Sequence, residues 1–379
     1  MKKIKTDFLI VGSGLYGCVL AERISSFFKK KVIIVEKRNH IGGNCFSEID
    51  KKTGIEYHKY GTHIFHTSIK SVWDYLKDFT EFNSYRHQVL TRYKSKTYQL
   101  PINLETINNF FKKDFSPLQA KKFIIKEAKK FSKNKYQNFE DKARSQIGER
   151  LYKAFIKYYT FKQWGKDPKN LPSSIFNRLP LRFSYNEDYY KTPFVQGIPL
   201  DGYTSIFKRL TESPNIEIIY NTNYELEHNY DVKYLTIYTG PLDKLIRNKF
   251  GSLEWRSLKF KKKIFNLQDY QGTSVINFPE LKYKYTRIHE PRHLHPERNY
   301  GNKTLVIEEY PVINIDEPYY PINDEKNRER HKKYKNFLLN NKNRKILFGG
   351  RLADYAYYDM DMTISASLKK FNLIKKMLG

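Results

Sequence analysis

Cysteine is nearly missing from this chain. Cys18 and Cys45 are the only two among 379 residues, and they form no C-x-x-C pair. That excludes a disulfide framework and fits a reducing, cytoplasmic compartment. Long apolar runs are missing as well, so no segment offers a membrane span. The apolar run Phe8–Val11 lies between Asp7 and Gly12. It is too short for the core of a signal peptide and reads as a strand. Acidic residues are scarce against basic ones: 40 Asp and Glu face 69 Lys and Arg, a net charge of +29. Such a surplus raises nucleic acid or a membrane surface as partners. The lysines, however, fall on separate segments, at Lys29–Lys31, Lys121–Lys130, Lys259–Lys263 and Lys342–Lys345. No RNP-type motif, zinc knuckle or basic tail accompanies them, so no specific nucleic-acid partner is expected. A basic surface also suits an anionic substrate.

Aromatic residues are plentiful, with 31 Tyr and 26 Phe. Tyrosine joins a flat apolar face to a polar tip, which serves a half-buried wall or a sugar- or base-binding surface. At about 150 residues per domain the length suggests two or three units, and a 40% hydrophobic content is enough for a packed core.

Strand and helix patterns alternate at both ends. Phe8–Val11 is a strand, Leu15–Phe28 a helix and Val32–Val35 a β-branched strand, which together make a βαβ unit. Ser116-Pro117-Leu118-Gln119 is a helix start with a capping box and Pro at the first position. Ala120, Ile124, Ala128 and Phe131 come next at helical spacing, and so do Ala143, Ile147, Leu151, Ala154 and Tyr158. These predict a small antiparallel helical insert. Glu217–Tyr220, Tyr234–Tyr238, Thr273–Phe278, Thr304–Ile307 and Lys345–Phe348 read as strands, and Thr363–Leu378 as a closing helix. The fold class is therefore α/β, with a nucleotide-binding unit assembled from both ends around a mixed middle.

Gly12-Ser13-Gly14-Leu15-Tyr16-Gly17 is G-x-G-x-x-G, placed directly after a strand and opening a helix. Glu36 ends the next strand, 22 residues after Gly14. In this context the glycines admit a pyrophosphate to the backbone and to the helix N-terminus, and the acid accepts from a ribose hydroxyl pair. An acid there favours FAD or NAD over NADP. Gly42-Gly43-Asn44 comes soon after. It resembles the extended FAD signature of the flavoproteins that include amine oxidases, as does the Gly349-Gly350-Arg351 return before the last helix.

Further motifs, in order along nearly the whole chain, resemble UDP-galactopyranose mutases. They are Tyr60-Gly61-Thr62-His63-Ile64-Phe65-His66-Thr67, Tyr159-Thr160-Phe161-Lys162-Gln163-Trp164, Arg178-Leu179-Pro180-Leu181-Arg182, Pro199 to Tyr203, Tyr285-Thr286-Arg287, Pro318-Tyr319-Tyr320-Pro321 and Tyr357-Tyr358-Asp359-Met360-Asp361. The stretch from Asn221 to Lys263 shows little resemblance. The likeness implies three parts: a Rossmann-like FAD-binding domain over 1–70, 196–250 and 340–379, a helical domain over 102–170, and an antiparallel sheet domain for substrate over 71–101, 171–195 and 251–339.

It also implies an isomerase that interconverts UDP-galactopyranose and UDP-galactofuranose, supplying furanose donors for cell-surface glycans. The N-acetylgalactosamine analogue is a second candidate substrate. Reduced FAD is the active form, its N5 attacking the anomeric carbon without net redox change. A UDP-sugar, an electron donor and a second copy in a homodimer are the implied partners.

The same resemblance assigns roles. Arg178 and Arg287 clamp the diphosphate, since guanidinium forks suit phosphate oxygens. Phe155, Tyr159, Thr160 and Trp164 take the uridine, and Tyr189, Tyr319, Tyr320 and Tyr357 bond phosphate or ribose. Gly12, Ser13, Gly14, Gly17, Glu36, Lys37, Gly43 and Asn44 hold the dinucleotide. His63, His66, Arg351, Asp359 and Met360 lie by the flavin, with His63 and His66 counted as catalytic together with Arg178 and Arg287. No metal is expected, because neither histidine has a Cys or acidic partner at matching spacing. Ile156 departs from the paired phenylalanines that many members carry and is left out of the site. Two other classes stay open: an amine-oxidase-like FAD oxidoreductase, which would consume oxygen, and a basic binding protein with a vestigial dinucleotide unit, which would carry no flavin.

Overall fold

The computed structural model describes residues 3–178, 181–190, 195–226, 230–313, 317–340 and 345–379, without the side chains of Ser174, Asn177 and Arg178. The chain begins with β1 (Ile4–Val11), α1 (Leu15–Phe28) and β2 (Val32–Val35). Phe8 and Ile10 face one side of the sheet and Leu9 the other, and all are buried. This period-2 pattern, apolar on both faces, marks a strand covered on both sides. Helix α1 stops at Lys29, which takes left-handed φ 53°.

A hairpin, β3 (Val89–Tyr93) and β4 (Lys96–Leu100), leads into helices α2 (Pro117–Lys129) and α3 (Phe139–Leu151). Ser116 and Gln119 form the reciprocal capping box read from the sequence. Ala120, Ile124, Ala143, Ile147 and Leu151 are buried in one cluster with Phe155 and Phe176. Each of the larger apolar side chains there stabilises by roughly 1.5–3 kcal/mol. A π-helical turn, Tyr152–Ile156, then joins α3 to α4 (Lys157–Trp164). The extra residue in this turn rotates α4 about its axis, so Tyr158 faces solvent where helical spacing predicted it inward.

The remaining elements complete two sheets. They are β5 (Ile216–Ile219), β6 (Tyr230–Tyr238), β7 (Trp255–Phe265), β8 (Val275–Asn277), β9 (Arg287–His289), β10 (Thr304–Val312), β11 (Tyr320–Pro321), β12 (Ile346–Phe348) and the closing helix α5 (Met360–Leu378). The first sheet is parallel, in the order β12-β6-β1-β2-β5. Helices α1 and α5 cover one face, through Leu20, Ile24, Phe371 and Ile374. This is the Rossmann-like arrangement expected from the two ends of the chain. The second sheet has the order β11-β7-β10-β9-β8-β3-β4 and is antiparallel except where β8 pairs with β3. Among the described residues no helix is long and apolar enough to cross a membrane.

Candidate active site

In an open parallel sheet, ligands sit beyond the carboxyl ends of the strands. Here Val11, Val35 and Tyr238 end three neighbouring strands at the wall of a cavity of about 1120 Å³. The same cavity extends to Asn277, Arg287, His289 and Glu309 on the second sheet.

The glycine turn shows why its residues are glycine. Gly12 has φ +104°, and a Cβ there would lie 2.3 Å from Thr239 Oγ1. A Cβ on Gly17 would lie 2.1 Å from the Gly12 carbonyl oxygen. At Gly14, by contrast, a Cβ would meet nothing within 4 Å. Packing demands the first and third glycines, while the second borders open space that a ligand can take. Glu36 is buried, and Ser13 donates to its Oε2 from both N and Oγ at 2.8 Å, while Arg38 N donates to Oε1 at 2.9 Å. That carboxylate is a fixed acceptor. Lys37 and Arg38 pair with Glu317, and Arg38 also donates to Asn44 Oδ1 at 2.9 Å and covers the Tyr60 ring.

The loop before Phe65 and the short strand Phe65–Thr67 bring His63 and His66 to the wall. His63 Nδ1 lies 2.6 Å from the Gly61 carbonyl, which can only accept, so Nδ1 carries the proton and Nε2 is left as an acceptor. Burial lowers the His63 pKa to about 4, so the ring is neutral at ordinary pH. His66 stacks on Tyr190 at 3.7 Å, and burial lowers its pKa too. On the same cavity wall, Tyr320 and Tyr357 stack at 5.7 Å with planes 9° apart, and Arg351 lies over both. Arg351 donates to Tyr319 O at 2.6 Å, yet its Nε is buried without an acceptor among the described residues. Asp359 occupies the N-cap position of α5 without a side-chain capping bond, and the helix begins at Met360 with its N-terminus at the same wall. A glycine turn open to space, a fixed acid, an orphaned guanidinium N–H and a helix N-terminus together fit a dinucleotide.

On the second sheet, Arg287 and His289 are two apart on β9 and share a face. Arg287 stands directly opposite Glu309 of β10. Arg287 lies 3.7 Å from Glu309, and His289 Nε2 lies 2.9 Å from the same carboxylate oxygen. Thr62 Oγ1 meets His289 Nδ1 at 3.0 Å, and Arg287 Nε donates to Tyr159 Oη at 2.7 Å. Burial alone would raise the Glu309 pKa, but Arg287 and His289 outweigh it and hold it at about 2. Burial likewise opposes the Arg287 charge, yet Glu309 and the surrounding tyrosines hold that charge firmly.

Of the residues singled out from the sequence, the cavity wall includes Gly12, Gly14, Gly17, Glu36, Lys37, Gly43, Asn44, His63, His66, Tyr189, Arg287, Tyr319, Tyr320, Arg351, Tyr357, Asp359 and Met360. Ser13 stands behind the turn, on Glu36. Tyr159 reaches the wall through Arg287. Phe155 and Trp164 pack with the helical cluster and Thr160 is buried, so the described structure does not bring these three to the wall. The Arg178 side chain lies outside the described residues, as do Leu179 and Pro180. Sequence reasoning missed Glu309, His289, Asn277, Arg38 and Tyr190. Only the spacing of His289 from Arg287 offered a signal for any of them.

Comparison with known proteins agrees with this geometry. Residues 154–357 match the family model described as UDP-galactopyranose mutase, and residues 10–79 match an NAD(P)-binding Rossmann-like domain. A Klebsiella pneumoniae protein described as "Probable UDP-galactopyranose mutase" is 38% identical, over 96% of this chain and 93% of that protein. A dTDP-fucopyranose mutase of Escherichia coli is 37% identical, over 95% and 96%. The crystal structure of a reduced UDP-galactopyranose mutase superposes with TM-score 0.77 at 15% identity, covering 98% of this chain and 96% of that one. On the length and level of these matches, the chain belongs to the UDP-galactopyranose mutase family of isomerases.

Proposed function

We propose that the chain binds FAD and, with the flavin reduced, interconverts UDP-galactopyranose and UDP-galactofuranose. The observation that carries this is the single cavity running from Gly14 and Glu36 to Arg287. It joins a dinucleotide cradle to a wall where the Arg287 guanidinium, partnered by Glu309, stands open to the cavity for a second diphosphate.

In this reading Glu36 accepts from the adenosine ribose, and the open face of Gly14 with the α1 N-terminus takes the pyrophosphate. Bound and reduced, the flavin supplies the N5 nucleophile for the anomeric carbon. Arg351 and the α5 N-terminus provide positive potential beside it. Neutral His63 presents its Nε2 acceptor to the same space and His66 lines it. Across the cavity, Arg287 grips the sugar-linked diphosphate with the nitrogens not engaged by Tyr159, and this favours departure of UDP. Arg178 completes the clamp. Tyr189, Tyr319, Tyr320 and Tyr357 enclose the sugar and its phosphates and exclude water, and Tyr159 borders the uridine, with Phe155, Trp164 and the buried Thr160 supporting that side from behind the wall. The parallel-sheet part (1–70, 196–250, 340–379) thus carries the cofactor. The helical part (102–170) and the second-sheet part (71–101, 171–195, 251–339) carry the substrate.

Likeness to the family also supports a cytoplasmic homodimer, a cellular electron donor, activity on the N-acetylgalactosamine analogue and a role in cell-surface glycan synthesis. The near-equal identity to a dTDP-fucopyranose mutase favours a second reading, in which dTDP-fucose is the sugar nucleotide. The test is turnover of each furanose donor by protein reduced with dithionite. A preference for the fucose donor selects the second reading. Oxygen consumption driven by an amine, without mutase turnover, overturns both.

A further inference from the structure

A half-buried cation outside the cavity lies behind the strand that carries Arg287. Lys162 on α4 donates from Nζ to four backbone carbonyls: Phe278 at 2.5 Å, Glu280 at 3.1 Å, Tyr283 at 3.0 Å and Tyr285 at 2.8 Å. These carbonyls belong to the turn between β8 and β9, and Arg287 opens β9 just beyond it. An ammonium has three N–H groups, so four acceptors share them. Without a cation, the converging carbonyl dipoles would repel one another and the turn would lose its reason to close at this point.

Helix α4 holds the same segment at a second point. Tyr159 and Lys162 are three apart and share a helix face. Tyr159 Oη accepts from Arg287 while Lys162 holds the turn. The helix is itself fixed to the sheet, because Arg256 of β7 donates to Gln163 O at 3.0 Å and to Lys162 O at 3.3 Å. Gly165 ends it with φ +63°, and a Cβ there would lie 2.8 Å from Arg256 Nη1. The helix therefore has little freedom to slide, and its grip on the turn sets where β9 begins.

We infer that Lys162 is a positioning residue for nucleotide-sugar binding, its ammonium fixing the 278–285 turn so that Arg287 meets both Tyr159 and the diphosphate. This rests on the reading of Arg287 as the diphosphate clamp. Lys162 itself touches no substrate; it acts through the backbone that carries Arg287. Lysine suits the position better than arginine, because a compact point charge fits inside a ring of carbonyls.

A double-mutant cycle separates this role from a general contribution to folding. UDP affinity is measured by calorimetry on flavin-loaded wild-type protein, Lys162→Met, Arg287→Gln and the double variant. Lys162→Met is expected to weaken UDP binding about tenfold in the wild-type background and less than about twofold when Arg287 is already gone, with flavin content unchanged. Equal losses in both backgrounds, or no loss in the first, overturn the assignment. Lys162→Gln, which keeps two N–H donors, runs in the same cycle so that poor folding of the Met variant leaves the coupling measurable. Flavin-loaded wild-type protein that binds neither UDP nor dTDP would refute the clamp itself, whereas nucleotide binding with additive effects refutes only the role of Lys162.

Discussion

Removing Arg287 should destabilise the protein through the charge it leaves behind. Glu309 is 1% exposed and faces Arg287 at 3.7 Å, with His289 on the same oxygen. Arg287 keeps 29% of its side-chain surface open to the cavity, so an effective dielectric near 20 applies rather than that of a dry interior. At this separation the attraction is then about 4 kcal/mol. Breaking a buried pair by deleting one partner typically costs roughly 3–5 kcal/mol, because the survivor stays desolvated. Arg287→Ala should therefore lower the urea midpoint by about 1 M or more, taking a slope near 3 kcal/mol/M. The Arg287→Ala/Glu309→Gln double variant should recover more than half of the loss, since the uncompensated charge is gone. Equilibrium unfolding followed by tryptophan fluorescence reads both. An Arg287→Ala midpoint equal to wild type, or a double variant as unstable as the sum of the singles, would refute the pairing as the source of stability. The double variant also frees the functional question from the structural one. Folded protein that has lost the guanidinium should bind UDP roughly tenfold or more weakly, as expected for one or two lost charge-assisted bonds.

The glycine turn separates a ligand effect from a packing effect. Gly14 has φ −73° and ψ 179°, which alanine accepts, and its Cβ would enter open space; Gly14→Ala should fold with near wild-type stability and purify with much less flavin, read from the flavin's visible absorbance. Gly17→Ala would place a Cβ 2.1 Å from a backbone oxygen and should lose soluble yield or thermal stability instead; equal flavin content and stability in both variants would contradict this division. Glu309 gives a pH signature: its folded-state pKa of about 2 lies below the ordinary 4.5, so its stabilisation is complete above about pH 4.5 and fades as pH falls toward 2. The stability gap between wild type and Glu309→Gln should accordingly shrink on acidification from about pH 5 to about pH 3, and a gap independent of pH would show that Glu309 is not held in the ionised form by Arg287 and His289.

Much of the cofactor half was legible in the sequence because backbone needs fix residue types there. A turn with φ +104° and a helix packed against its own entry turn demand glycine at Gly12 and Gly17, whatever the rest of the chain does. The Ser116 capping box was legible for the same local reason. The second sheet was less so. The β3–β4 hairpin turns on Lys94 and Ser95, both at positive φ, where no glycine or asparagine announces the turn. Strand β7 is buried on both faces over its first four residues and then runs through lysines 259 and 261–263, so no single period describes it. The π turn at Tyr152–Ile156 shifts the helical register by a residue, which sequence periodicity does not carry. Glu309 and His289 become part of the site only when β9 and β10 pair; nothing in the sequence marks Glu309, and only its spacing from Arg287 hints at His289.

If one cavity holds a reduced flavin against a nucleotide sugar and isomerises it, turnover must depend on the flavin's redox state. Purified protein with its flavin fully reduced by dithionite should convert UDP-galactofuranose to UDP-galactopyranose, followed by anion-exchange chromatography, and oxidised protein should be inactive until reduced. Flavin-loaded, fully reduced protein that leaves both UDP-galactofuranose and dTDP-fucofuranose unchanged would contradict the proposal.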